Sequence, residues 1–397
     1  MNQQFEPEES GPTGPRRVVE LRTSPSAGYT REMMLGVAKF ARLHANWEFA
    51  SGPENRGLAV PAVERGKPDG IIAQLAEEAI AEKALSVGVP VVNVSSSMPP
   101  GRVPTVIADD DAIGRLAAEH LRGRGFRQFV VFGQESKYFS QHRAAAFSKA
   151  VREAIPDAPV FEHLFQYAKG THLNVFQHRA EQWLLTLPVP IALFSTNDYE
   201  ARMITAACRA MGLRVPQDIA VCGVDNDVLT CEFSTPPLSS VCTNAERIGY
   251  RAAAMLHALL NGTATVTTEP VLVQPQHVVT RQSSDVLAVE DPLVADAVQY
   301  IRKHAVRGIQ VPGVAKGLKV SRRTLERRFR AALNCSPAEE IRRTRTDCAL
   351  RLLQETDLPV AKVARRSGFR YPQHLAPAVQ SATGQTPTEF RRESRCS

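Results

Sequence analysis

The chain has 397 residues, 43% of them apolar, enough for two or three domains that each bury a core. No run of about 18 apolar residues occurs, which excludes a membrane-spanning helix. The formal net charge is +7, but residues 292–397 hold 21 Lys and Arg against 9 Asp and Glu, leaving 27 basic and 32 acidic side chains ahead of them. A basic end on a mildly acidic body implies one module held against phosphate by counterion release, not a protein that coats nucleic acid with its whole surface.

Residues 1–15 are acidic and rich in Gly and Pro, without the apolar core of a signal peptide, and read as a disordered leader. From 16 to about 283, short apolar runs alternate with amphipathic stretches. Strands are expected at 18–22, 47–51, 70–74, 89–94, 129–133, 160–165, 191–195 and 219–224. Helices are expected at 30–44, 111–122, 143–154, 200–211 and 244–261, with a last strand over 271–280. Val- and Ile-rich strands alternating with helices imply parallel sheets covered on both faces. The rhythm restarts after about residue 125, which favours two similar α/β lobes over one very large sheet. The cysteines number seven, with no Cys-x-x-Cys pair. They read as buried free thiols in a reducing cytoplasm, with no metal site and no cofactor.

Strand C-termini and the loops after them form ligand clefts in open parallel sheets. Here those loops carry polar groups. The strand at 219–224 runs into Asp225-Asn226-Asp227, and the strand at 191–195 into Thr196-Asn197-Asp198. Tyr138, Phe139 and Arg143 come ahead of the helix at Ala144. Planar, bidentate Asp, Asn and Arg suit the adjacent hydroxyls of a sugar, and Phe139 suits its apolar face. Asp198 also fits a helix cap and Asp227 a turn, so either can be structural.

The last hundred residues read as two helix-turn-helix units, at about 311–330 and 360–382. In the first, a short helix at 311–318 meets a tight turn at Lys319–Val320. Ser321 then caps a second helix whose dry face is Leu325 and Phe329. Its other face carries Arg322, Arg323, Arg327, Arg328 and Arg330. Guanidinium groups on a helix anchored along one side suit the major groove, where Arg pairs bidentately with guanine.

The stretches 191–199, 216–227 and 235–241, with the helix after 245, resemble the repressor-type (LacI-type) periplasmic sugar-binding fold. The tail, including Ser367-Gly368-Phe369 and 383–392, resembles the AraC-type double helix-turn-helix. Taken together they resemble pentose-responsive regulators that join the two, over nearly the whole chain after Arg16. The resemblance implies an α/β two-lobed periplasmic-binding-protein-like sensor (16–283), a linker (284–292) and an all-α AraC-type DNA-binding domain (293–397). Carried over by position, it implies sugar contacts from Arg143, Asn197, Asp225 and Phe139, with Ser26, Tyr29, Gln74 and Asp109 from the first lobe. On DNA it implies Ser321, Arg322, Arg323, Glu326 and Arg327 in the first motif and Gln373 and His374 in the second. Gly368 is expected in the turn and Phe369 in the core.

One departure matters: Pro377 falls inside the second recognition helix, where proline removes a donor and costs about 3 kcal/mol or more. A kinked second motif is expected, with base reading concentrated in the first. The implied partners are operator DNA, a sugar (D-xylose foremost), RNA polymerase and a second copy of the chain, joined through the first lobe. The expected protein is cytoplasmic, touches no membrane and is not an enzyme: no phosphate loop, Gly-x-Ser-x-Gly elbow or His-Glu-x-x-His occurs. Three alternatives stay open: another sugar with the same mechanism, lobes that serve only dimerisation, or a sugar-modifying enzyme fused to a DNA-binding tail.

Overall fold

In the computed structural model the described residues are 15–23, 27–51, 67–166, 180–263, 268–285, 291–333 and 335–395. The expected leader lies outside them except for Pro15, as do Ser26, Cys396 and most of the expected linker. The elements of the α/β part begin with β1 (Arg17–Arg22), α1 (Gly28–His44), β2 (Trp47–Ser51), β3 (Gly70–Ala73), α2 (Glu78–Leu85), β4 (Val91–Asn93) and β5 (Val106–Ala108). Next come α3 (Asp110–Arg122), β6 (Phe129–Gln134), α4 (Tyr138–Ala154), β7 (Val160–Phe165), β8 (Ile191–Ser195), α5 (Asp198–Ala210), β9 (Ile219–Val224) and α6 (Val228–Glu232). The part closes with β10 (Ser239–Val241), α7 (Ala245–Leu260), β11 (Val271–Val273) and β12 (Val278–Val279).

The chain divides into two compact units. One holds residues up to 110 with 135–141 and 243–275; the other holds 111–134, 142–242 and 276–397. In the first, β2-β1-β3-β4 form a parallel sheet, β5 pairs with β11, and an Asn93–Thr105 bridge sets β5 beside β4. Helices α1 and α7 lie backbone to backbone: a Cβ on Gly36 would sit 1.9 Å from the Glu246 carbonyl oxygen, and one on Gly249 would sit 1.8 Å from that of Met33. Only glycine permits that approach.

In the second unit the sheet order is β12-β10-β9-β8-β6-β7, parallel except for β12. Strands β8 and β9 are buried along their full length, as continuous apolar runs covered on both faces require. The strand expected over 271–280 is two: β11 belongs to the first unit and β12 to the second. Pro275, which has no backbone donor, sits where the chain passes between them. The three-residue β5 and β10 have too few positions to register as periodic patterns, and neither is among the expected strands.

The tail continues with α8 (Pro292–His304), α9 (Val311–Gly317), α10 (Arg322–Leu333), α11 (Pro337–Glu355), α12 (Val360–Arg366), α13 (Pro372–Thr383) and α14 (Pro387–Arg395). It has two small cores. Val298, Ile301, Val314, Leu325 and Phe329 fill the first; Leu353, Val363, Phe369, Leu375 and Val379 fill the second. Helix α11 serves both, giving Ile341 to one and Ala349 and Leu353 to the other. It begins with a full capping box of Ser336 and Glu339. Midway, the buried Arg345 donates to the Ala305 and Ile309 carbonyls, holding α11 to the loop before the first motif.

Among the described residues no helix is long and apolar enough to cross a membrane. Among the described residues six cysteines are free thiols; Cys208, Cys222 and Cys231 are buried, while Cys242, Cys335 and Cys348 are only partly so, a correction to the expectation of uniform burial. Burial pushes the Cys208 and Cys222 thiols up to about 12, so neither is a ready nucleophile.

Candidate functional site

The first motif has the expected form. Helix α9 packs Val311 and Val314 inward, and Lys319 takes a positive φ of 56° in the turn. The Ser321 hydroxyl then accepts the Thr324 N–H at 3.0 Å. A cap of that kind is worth about 1 kcal/mol, so Ser321→Ala should lower tail stability by that amount. Thermal melting that left the tail transition of Ser321→Ala unchanged would remove the cap from the account.

On α10, Leu325 and Phe329 are fully buried, while Arg322, Arg323, Arg327 and Arg330 are exposed. Glu326 is half-buried and bonded by Arg322 at 2.7 Å. Arg328 is a correction. It leaves the outward set because its guanidinium grips Asp291 bidentately, with Nη2 donating at 2.6 Å to Oδ1. Asp291 also caps α8, and the hydrogen bonds from Arg328 hold its carboxyl below the usual range.

The second motif is a continuous helix from Pro372 to Thr383 with Pro377 inside it. Leu375 and Val379 are buried, whereas Gln373, His374 and Pro377 are exposed. The proline ring therefore interrupts the solvent side and not the core. Gly368 occupies the turn at φ 85°, where a Cβ would meet the Ala305 carbonyl oxygen at 2.4 Å. Phe369 is buried in the second core.

In the second unit the ends of β6, β8 and β9 gather a polar cluster. Arg143, 5% exposed, donates to the Thr196 carbonyl at 2.7 Å and lies 3.8 Å from the Asp225 carboxylate. Asp225 and Asn226 follow β9 with positive φ, 105° and 53°. For a non-glycine residue a φ of 105° is a strained conformation of the kind concentrated at binding sites. Asn197, not Asp198, caps α5, its Oδ1 accepting the Glu200 N–H at 2.8 Å. Asp198 is instead buried, accepting the Asp227 N–H at 2.8 Å and the Cys231 thiol. Asp227 caps α6, the structural alternative allowed for it.

Glu200 is the residue that sequence reasoning missed. It is fully buried, bonded by Gln134 and Thr196. Burial pushes its carboxyl up to about 7, against the pull of those bonds, of Asn197 and of the Arg143 charge. Burial, reinforced by the neighbouring Asp225 charge, also raises Asp198 well above its ordinary value. A carboxyl with a higher pKa folded than unfolded binds more protons in the native state. Stability contributed by Glu200 is therefore present below pH 4.5 and lost as pH rises to about 7, on the order of 3 kcal/mol across that window. Denaturant melts at pH 5 and pH 8 should show that loss, and Glu200→Gln should flatten it. An unchanged slope in Glu200→Gln would place the titration elsewhere.

In the first unit, Gln74 accepts a bond from Thr30 at 3.3 Å, and the Tyr29 hydroxyl donates to the Val94 carbonyl at 3.1 Å. Asp109 accepts from Gln274 at 2.7 Å. Phe139 is half-buried, its N–H donating to the Ser96 carbonyl, and it groups with this unit although Arg143, on the same helix, does not.

The Periplasmic binding protein-like domain family matches residues 118–284, and a Helix-turn-helix domain family matches 314–393. The Xylose operon regulatory protein of Escherichia coli (strain K12) is 29% identical over 386 residues, covering 95% of this chain and 97% of that one. The Xylose operon regulatory protein of Haemophilus influenzae is 31% identical over 330 residues, covering 81% and 84%. A solved structure described as the xylose-binding transcription activator xylR superposes with a TM-score of 0.61 at 28% identity, covering 95% of this chain and 98% of its own. The fold and the outward arginine helix thus define a sugar-responsive, DNA-binding transcription regulator, not an enzyme. The chain belongs to the family of the xylose operon regulatory proteins.

Proposed function

We propose that the chain senses D-xylose in the cytoplasm and activates transcription of genes for pentose use. The observation that carries this reading is the Arg143 guanidinium, buried beside Asp225 where parallel strands end, in a chain whose tail turns an arginine face outward. Arg143 and Asp225 present charged hydrogen-bonding groups to adjacent hydroxyls, with Asn197 beside them. Tyr29, Gln74, Asp109 and Phe139 are proposed as further sugar contacts on their own unit. Sensing is assigned to residues 16–283, linking to 284–292 and DNA binding to 293–397.

On DNA, Arg323 and Arg327 are assigned to bases, Arg322, Ser321 and Glu326 to the groove edge, and Gln373 and His374 to the second motif's contacts. Two copies of the chain would engage two half-sites, with RNA polymerase as the partner of an activator. For sugar to switch the chain it must prefer one arrangement: a hundredfold preference supplies about 2.7 kcal/mol.

Calorimetry against a panel of pentoses and hexoses, followed by operator binding with and without sugar, tests this. D-xylose should bind more tightly than arabinose or ribose and change operator affinity. Heat with another sugar alone would reassign the effector, and heat with none would sink the sensing role.

A further inference from the structure

Away from the strand-end cluster, the second unit contains a cavity of about 540 Å³ where residues 277–285 of the α/β part face α11 of the tail. Its size falls within the range of small-molecule sites. Among the described residues five arginines and four carboxylates line it. Three of those carboxylates are already neutralised by guanidinium partners: Glu232 by Arg281, Asp285 by Arg302 and Glu340 by Arg343. Arg124, Arg351 and Asp347 remain.

Arg124 is buried, and its bonds go to uncharged oxygens: the Ser284 carbonyl at 2.6 Å, the His120 carbonyl and the Thr280 hydroxyl. Among the described residues no carboxylate lies within ion-pairing distance of Arg124 or Arg351. Burial, then the Arg343 charge, lowers Arg124 to about 9, and burial, then the Arg124 and Arg343 charges, depresses His120. Burial conversely raises Asp347, the only carboxylate not so paired, which favours its neutral form. His277, 8% exposed, also lines the cavity, and its Nδ1 has no hydrogen-bond partner. Burial lowers it to about 4, so the ring is neutral at physiological pH.

We infer that this cavity is a second ligand site, distinct from the sugar site, which takes a small organic phosphate. A phosphate offers paired oxygens that guanidinium groups bind bidentately. Val278, Val279 and Leu350 give an apolar wall for the carbon skeleton. An occupant would touch the sensor's second lobe and α11 of the DNA-binding tail together. It would thereby bias how the tail is held, independently of sugar.

The test is calorimetry of the full chain, without DNA, against glucose 6-phosphate, inorganic phosphate and glucose at fixed ionic strength. Both phosphates should bind at millimolar affinity or better, with glucose at least about tenfold weaker than its phosphate. Arg351→Glu, an exposed position, should weaken both phosphates about tenfold or more and leave D-xylose affinity and melting temperature unchanged. Asp225→Ala should leave phosphate binding intact. No heat from either phosphate, or equal binding by Arg351→Glu, would mean a solvent-filled joint and overturn the inference. Loss of phosphate binding in Asp225→Ala would place the phosphate in the sugar site and overturn it equally, while leaving the sugar reading standing.

Discussion

Phe329→Ala should abolish operator binding by the full chain while leaving sugar binding at its wild-type strength. The ring is fully buried in the first tail core with Leu325, Val314 and Ile301. Emptying such a site costs about 3–5 kcal/mol, because the lost transfer energy is joined by a cavity that neighbours fill only in part. That core is small, so a loss of this size is a large share of what holds α10 on α9. The arginine face would then no longer be presented as a unit. Phe329→Leu should lose far less, since most of the volume is kept. Gel-shift titration at fixed salt, beside calorimetry with sugar, reads both halves. Wild-type operator affinity in Phe329→Ala would show that the motif does not depend on this core.

Arg143→Ala should remove sugar binding by more than about a hundredfold, with lower stability of the second lobe. The guanidinium lies 3.8 Å from the Asp225 carboxylate, and its field also opposes the rise of the Glu200 carboxyl. Removing one member of a buried charge cluster leaves the others uncompensated, which typically costs about 3–5 kcal/mol. Glu200 should then titrate higher still. Arg143→Lys keeps the charge but not the planar fork, so stability should return more fully than sugar affinity. Calorimetry and thermal melting on the two variants separate those effects; unchanged affinity in Arg143→Ala would move the sugar elsewhere.

Much of this architecture could be read from residue order. Buried strands such as Ile191–Ser195 announce themselves as unbroken apolar runs, and Leu325 with Phe329 gives the helical period directly. What could not be read depended on contacts distant in sequence. Glu200 looks like an ordinary acidic residue in the first turn of a helix; its burial follows from Gln134 and Arg143, dozens of positions earlier. Adjacent Asn197 and Asp198 are equally good caps by composition, and only the fold chooses the amide and buries the acid. Arg328 follows Arg327 directly, yet rotation about the helix axis turns one outward and brings the other to Asp291.

That last pairing has a mechanical side. Asp291 caps the start of α8, and Arg328 stands midway along α10, the helix that carries the arginine face. A displacement of Asp291 is therefore felt directly by that helix. The pair thus pins the N-terminal cap of α8 to the middle of α10 with two short charged bonds.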